Sequence, residues 1–527
     1  MTLSFRTGAA AAALLLAAGA AAAQTLTIGV RGGPESLDPH FSALGSHAEA
    51  AKHIYDTLVW SGDDLQIEPG LATSWAPVDE DTWRFTLREG VTFHDGSAFD
   101  AEDVKFSIER IPVVSGPTTT TIYVRRVAEV EIVDPLTIDI HTDGPAATLP
   151  YDFVRLFIVS SEAAADYSTP ETANEGFNGG PAAVGTGPFR LVSWEPKGDL
   201  VLERFDGYWR GPAAWERVIR KEMPNDSSRL AALKSGQVDV INYVSSIDYL
   251  ALQRDPSVDT VVGDSVYVMN LQLDQRENPP GVRAVGGGEL DANPLRDPRV
   301  REAIDSAIDR ETMVGIVLEG LGKPANQMMP PGFFGSNEEI PTPTYDPAKA
   351  KALLAEAGYP DGFEIDLYCT SDRLPGDGAI CQGLGQMFTQ AGIRTNVNAL
   401  SRTVYFPAQA RREYGVFMNG WGTLTGEASY TLGSLAHSEA PDLKLGAFNR
   451  IEYRNEEVDA LLQEAATEMD APRRRALYEE AMAKTMADRA YISIVQLQTV
   501  WAARAGSVTF EPRFDEDTLA YFIHPKG

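Results

Sequence analysis

The run GWGTLTGEASY, Gly420 to Tyr430, concentrates residue types able to hold a small molecule. Trp421 lies between Gly420 and Gly422, so the backbone can come close to a ligand while the indole offers a broad apolar face. On residue type alone the same tryptophan fills a core beside the strand Val416, Phe417, Met418 equally well. Covalent and acid–base chemistry has no comparable pattern: the chain carries no GxSxG elbow, no HExxH, no CxxC pair and no GxxxxGK phosphate loop. The seven histidines stand singly, as satisfied core or surface histidines do. Glu456 and Glu457 open a helix, where the dipole accounts for them. These observations favour capture of a solute over its conversion, and no cofactor is expected.

The elements that must position such a site alternate along the chain. In the stretch Leu71 to Ile111, Trp83, Phe85 and Leu87 alternate with polar residues as a half-buried strand, and Val91 and Phe93 resume the alternation, so a hairpin is expected. Asp100 then caps a helix with Val104, Phe106, Ile108 and Ile111 as its apolar positions. Thr25 to Val30 reads as a first strand before a helix from roughly Ser46 to Leu58, Val127 to Thr142 reads as two strands, and Ala163 to Val184 reads as a long surface loop. Val201 to Phe205, a helix from Ser227 to Ser235 and Val238 to Ile241 give a β-α-β pattern and imply a parallel sheet. The character shifts around Gly263. A second α/β region follows: a helix from Asp297, a helix capped by Asp346 and ended at Gly358, a strand at Glu364 to Tyr368, a helix near Ile380 to Ala391 and a strand near Thr395 to Ala399. Helices at Glu456 to Met469 and Pro472 to Met486 close it, and Tyr491 to Trp501 leads back to the first region.

At 527 residues the chain exceeds what one core supports, so two or more domains are expected. A formal net charge of -30 disfavours nucleic acid or an anionic membrane surface as partner. Arg6, the Ala and Leu run after it and the small residues Ala21 to Ala23 form a secretory signal peptide over 1–23, with cleavage expected before Gln24. No cysteine stands at that point, which favours the periplasm over a surface lipoprotein. Cys369 and Cys381 are the only cysteines; in an oxidising compartment they are expected to form a structural disulfide, with two buried thiols as the alternative.

The stretch Leu71 to Ile111 also resembles the signature segment of the family 5 extracellular solute-binding proteins, the dipeptide, oligopeptide and nickel binders of bacterial ABC importers. Further blocks agree in order: GTGPFRLVSWEPKGDLVLERFDGYW from Gly185, RLAALKSGQVDVI from Arg229, DPRVREAIDSAIDRETMV from Asp297 and DPAKAKALLAEAGY from Asp346. The resemblance implies an α/β, two-lobed periplasmic binding protein (class II, type C) with an extra subdomain inserted in the first lobe. On that plan 24–43, 185–263 and 500–527 form the core of lobe 1, 44–184 the inserted subdomain and 264–499 lobe 2. It implies a monomer that encloses a small peptide-like ligand and delivers it to the importer's permease subunits. Arg373, in CTSDRLPGD, matches an arginine that meets the ligand carboxylate in dipeptide-binding relatives, a task a bidentate guanidinium suits; a solvated loop arginine beside Asp372 and Asp377 is the plain alternative. The peptide binders place an aspartate shortly after the tryptophan, and here the run is Gly422, Thr423, Leu424, Thr425, Gly426, Glu427. That departure is similar to the glutathione-binding member of the family. The ligand residues it implies are Arg373, Trp421, Gly422, Thr423, Thr425 and Glu427. An oligosaccharide, a nickel complex or haem on the same fold is the alternative ligand class, and a secreted enzyme the disfavoured one.

Overall fold

The structure, a computed structural model, describes residues 24–114, 116 and 120–526; the expected signal peptide lies outside them. Among these residues the spine is a twelve-stranded mixed sheet. Its order is Val282–Arg283, Glu364–Thr370, Val416–Gly422, Val258–Leu273, Tyr491–Arg504, Val240–Ile241, Thr25–Val30, Arg217–Glu222, Asp199–Arg204 and Phe189–Trp194. Arg394–Leu400 adds to Glu364–Thr370, and Gly322–Pro324 adds to Tyr491–Arg504. Two central strands are far longer than the rest. Val258–Leu273 and Tyr491–Arg504 run antiparallel from Val258 opposite Arg504 to Gln272 opposite Tyr491. One end of the pair continues into Val240–Ile241 and Thr25–Val30, the other into Val416–Gly422 and Glu364–Thr370. Two lobes therefore share this ladder. Its register shifts between Asp264 and Val268 and again between Met269 and Asn270, irregularities of the kind that bend a strand pair.

Separate apolar clusters fill the lobes. Leu26, Ile28, Val218 and Val240 belong to one, and Leu271, Val300, Ile304, Leu367 and Ile380 to another. A third takes its fully buried members only from 58–158 and includes Phe85, Phe93, Ile108 and Phe153. Beside it lies a four-stranded antiparallel sheet in the order Ala72–Pro77, Thr82–Leu87, Thr137–Thr142, Val127–Asp134. Ala48 to Tyr55 and Val159 to Ala182 contribute instead to the first cluster.

The second region matches its sequence pattern closely. Asp297 accepts from Arg299 N at 2.8 Å and Asp346 from Lys349 N at 2.8 Å, so each caps a helix with proline in its first turn. Gly358 takes φ +97°, the left-handed conformation that ends the second of them. Glu364–Thr370, the helix Asp377–Ala391 and Arg394–Leu400 form the parallel unit expected.

The first region departs in four places. Thr82–Leu87 is a strand with Trp83, Phe85 and Leu87 buried, but the hairpin with Val91 and Phe93 does not form. It pairs on both edges, with Ala72–Pro77 and Thr137–Thr142, which supply longer ladders than the short return could. Val91 and Phe93 enter the core from a turn closed by Phe93 N on Ser97 O at 2.9 Å. The parallel pairing is made by Thr25–Val30 with Arg217–Glu222 and Val240–Ile241, while Asp199–Arg204 lies antiparallel to Arg217–Glu222. The helix expected over Ser46 to Leu58 is only Gly45–Ala51, because Leu58 N is taken by Leu156 O at 3.0 Å. The surface loop expected over Ala163 to Val184 contains a short helix, Ala173–Phe177, whose Phe177 is fully buried under the Arg110 guanidinium at 4.6 Å.

A candidate ligand site between the lobes

Arg373 sits in the loop between the strand Glu364–Thr370 and the helix Asp377–Ala391, and a disulfide joins Cys369 to Cys381 across that loop. Asp377 tightens it further: its Oδ2 accepts from Thr370 Oγ1 at 2.6 Å and from the backbone amide of Arg373 at 3.1 Å. Asp372 is occupied elsewhere, accepting from Arg402 N at 2.7 Å. Neither acid therefore neutralises the Arg373 guanidinium. Its Nη1 donates to Asn419 Oδ1 and Gly420 O, both at 2.7 Å, which aims the group along the strand Val416–Gly422. Among the described residues Nε and Nη2 donate to nothing, and the guanidinium lies 5.2 Å from the Phe406 ring centre and 5.8 Å from that of Tyr267.

Trp421 stands opposite Val268 on the long central strand and remains half-buried. Its Nε1 donates to Thr431 Oγ1 at 3.1 Å, and its ring packs on Tyr430 at 5.5 Å and Phe448 at 5.3 Å. The flanking glycines have a role other than the one their type suggested. A Cβ on Gly422 would meet the Tyr267 ring at 2.8 Å, and one on Gly420 would meet Leu374 Cδ1 at 2.2 Å. They make room for protein side chains rather than for a ligand. Thr423 is fully buried and bonded to Thr431 Oγ1 at 2.7 Å, whereas the Oγ1 of Thr425 is enclosed with no partner. Gly426, at φ +70°, passes so close to Leu65 that a Cβ would lie 2.3 Å from its carbonyl oxygen.

Glu427 does not reach a ligand surface in this structure. It is fully buried, hydrogen-bonded by Ser429 and 3.7 Å from Arg474 Nε, and burial pushes its carboxyl up to about 7. Asp152 of the opposite lobe adds to that rise, and burial lifts Asp152 itself to about 7. The resemblance to the glutathione-binding member implies a ligand contact for Glu427; the turn at Gly426 instead directs it toward Arg474.

The opposite wall was not legible. Arg155 ends the short segment Phe153–Arg155 and is 6% exposed. Burial works against its cation; Tyr123, Asp517, Asp515 and Tyr430 outweigh that and hold the group charged. Burial also pushes the Tyr267 and Tyr430 hydroxyls up, and in each case Arg155 and Arg373 both act in the opposite sense. The two phenols thus lie within electrostatic reach of a guanidinium from each lobe. A buried hydrophobic run with one arginine, Tyr151 to Ile158, offers no local pattern to distinguish this residue from a structural one. No group of three or more His, Cys, Asp or Glu able to hold a metal occurs among the described residues.

Two α/β lobes sharing a bulged strand pair define a periplasmic-binding-protein fold. The family model for bacterial extracellular solute-binding proteins, family 5, matches residues 66–442, and the chain belongs to that family, one of solute-binding proteins. The glutathione-binding protein GsiB of Salmonella paratyphi A is 28% identical over 466 residues, covering 87% of this chain and 86% of the relative. Among solved structures, the ABC transporter-associated periplasmic binding protein DppA of Helicobacter pylori, in complex with the peptide STSA, is 25% identical with a TM-score of 0.75, covering 95% of this chain and 98% of that one. HbpA2 of Haemophilus parasuis is 24% identical with a TM-score of 0.79, covering 95% and 100%, and shares the fold. No helix among the described residues is long and apolar enough to cross a membrane.

Proposed function

We propose that this protein captures a short peptide-like solute between its lobes and delivers it, chemically unchanged, to the permease subunits of an ABC importer. Glutathione or a related γ-linked peptide is the sharper reading, supported by the relatives named as glutathione-binding proteins. One observation carries the peptide reading: Arg373 presents a guanidinium with two uncommitted nitrogens and no carboxylate partner in a chain of net charge -30. A carboxylate is the group such a fork receives best. Trp421 supplies the neighbouring apolar face, with Thr425 and Gly422 beside it, while Thr423 and Glu427 hold the loop in place. Binding energy then shifts an open and closed equilibrium about the bulged strands, and the permease reads the closed form.

The same reading puts the mature protein in the periplasm as a monomer beginning at Gln24. The lobe division at 263/264 and 499/500 falls on the shared strand pair, and packing supports an inserted subdomain confined to 58–158 of the 44–184 stretch. Calorimetry with glutathione, its glycine amide and a few dipeptides tests the ligand class. Loss of affinity on amidation in wild type, but not in Arg373→Ala, is expected. Absence of binding to every peptide would return the ligand to the oligosaccharide, nickel-complex or haem class.

A further inference from the structure

We infer that Arg155 is the anion receptor of lobe 1, so that the enclosed solute carries two separated anionic groups, one for Arg155 and one for Arg373. This rests on the proposed role of the interlobe space as the ligand site. Eight arginines are buried among the described residues, and seven of them donate guanidinium hydrogen bonds to protein acceptors. Arg155 donates none, and its Nη1 is closed off from solvent without a partner. Burying a cation in that condition is costly unless something else completes it.

The surrounding acids do not complete it. Asp515 and Asp517 are bridged by Lys52 at 2.9 and 2.7 Å, and Arg513 takes Asp515 at 3.0 Å. Lys52 and Arg513 therefore take the hydrogen bonds these two carboxylates offer, and Asp63 adds its charge on the Arg513 side. Glu516 accepts from Thr499 Oγ1 at 2.5 Å, and burial pushes its carboxyl toward the neutral form. Asp152, three residues before Arg155, has Arg125 and Arg126 as its electrostatic partners. Arg155 is left within the field of these acids but without a hydrogen-bonded carboxylate, and Tyr430 and Tyr267, the two rings it influences, are also under the influence of Arg373. A solute anionic at both ends would satisfy both guanidiniums at once and tie the lobes together, so that closure and recognition become one event.

Calorimetry with glutathione, its glycine amide and its γ-glutamyl α-amide, on wild type, Arg155→Met and Arg373→Ala, tests this. Wild type should lose on the order of a hundredfold in affinity when either carboxylate is amidated. Arg155→Met should bind glutathione on the order of a hundredfold more weakly, be indifferent to one amide and stay sensitive to the other, with Arg373→Ala showing the complementary pattern. Unliganded Arg155→Met should also melt no lower than wild type, because an unpaired buried cation has been removed. Unchanged glutathione affinity in Arg155→Met, or an Arg155→Met variant still weakened by both amides as wild type is, overturns the inference and leaves Arg373 in place. So does a lowered Tm with all three probes weakened alike, which marks a structural arginine. If wild type binds none of the probes, it is the peptide reading that has failed. The solute released by denaturing purified wild type then decides: two anionic groups uphold the inference, fewer overturn it. Should nothing be released, the unliganded Tm decides alone.

Discussion

Arg110 and Arg373 are both arginines in contact with aromatic rings, and their surroundings differ in one respect. Arg110 holds Asp38 through both terminal nitrogens, at 2.9 and 2.7 Å, with each side chain about 1% exposed, and its Nη1 also donates to His40 Nδ1 at 3.0 Å. His40 gives its other nitrogen to Phe157 O at 2.8 Å, so the ring is neutral, with the proton on Nε2. Here the charges are closed on themselves and ask nothing of a ligand. Arg373 rests on an amide oxygen and a carbonyl oxygen and leaves the rest of its fork open, and Arg155 donates to no protein acceptor among the described residues. A buried arginine with its carboxylate in place is scaffold. One such as Arg301, with no carboxylate but four oxygen acceptors, is scaffold too, so the proposal rests on the fork that lacks both a carboxylate and other acceptors.

Removing Arg110 should have the largest effect and only on stability. Arg110→Ala strands Asp38 in the interior and is expected to cost about 3 to 5 kcal/mol in urea unfolding, while the folded fraction keeps wild-type ligand affinity. Arg373→Ala should do the reverse, weakening glutathione binding by roughly 2 to 5 kcal/mol with only about 1 kcal/mol lost in stability. If the two variants shifted stability and binding alike, the contrast would collapse. The disulfide tests what holds Arg373 in place: the Cys369→Ala, Cys381→Ala double variant should lose about 3 kcal/mol in the chain-entropy view. Labelling of both thiols in unreduced, unfolded wild type would show that the bridge is not formed in solution. Trp421→Ala should cost on the order of 2 kcal/mol in affinity, measured by the same calorimetry.

The two regions should also respond to pH in opposite senses. Burial first, and then Arg110, depresses His40 to about 4, and burial holds His53 to about 3 and His94 to about 4. The unfolded chain takes up these protons below about 6.5 while the native state does not, so stability is lost as pH falls from 6.5 toward 4. Glu427, raised from 4.5 to about 7, keeps a proton in the native state that the unfolded chain has released. Its contribution is present below about 4.5 and is lost as pH rises through 7. Glu427→Gln should therefore be more stable than wild type at pH 8 by on the order of 2 kcal/mol, with the advantage gone near pH 4. A pH series of urea melts checks both slopes, and a constant difference between Glu427→Gln and wild type would contradict the second.

How far the sequence could be read followed the range of the interactions involved. In lobe 2 the strands and helices were legible because each is set by its own periodicity and caps: Asp297 and Asp346 bond amides two or three residues away. In lobe 1 the hairpin at Val91 was misread because Thr82–Leu87 found partners well outside that turn. Of the proposed site, Arg373 and Trp421 are the residues the sequence singles out, while the packing of the glycines beside Trp421 and the direction of Glu427 depend on which side chains surround them.

From the sequence alone came the family pattern, the alternation of strands and helices, the cysteine pair and a loop arginine followed downstream by a tryptophan between glycines. Only the tertiary structure decided which charges are closed. Whether Arg155 has a carboxylate depends on Lys52 and Arg513 having already taken Asp515 and Asp517, four residues brought together by the return of the chain into lobe 1. Whether it and Arg373 act on the same two phenols depends on how the bulged strand pair brings two lobes together. Side-chain electrostatics is a property of what surrounds a group in space, and no periodicity along the chain encodes it.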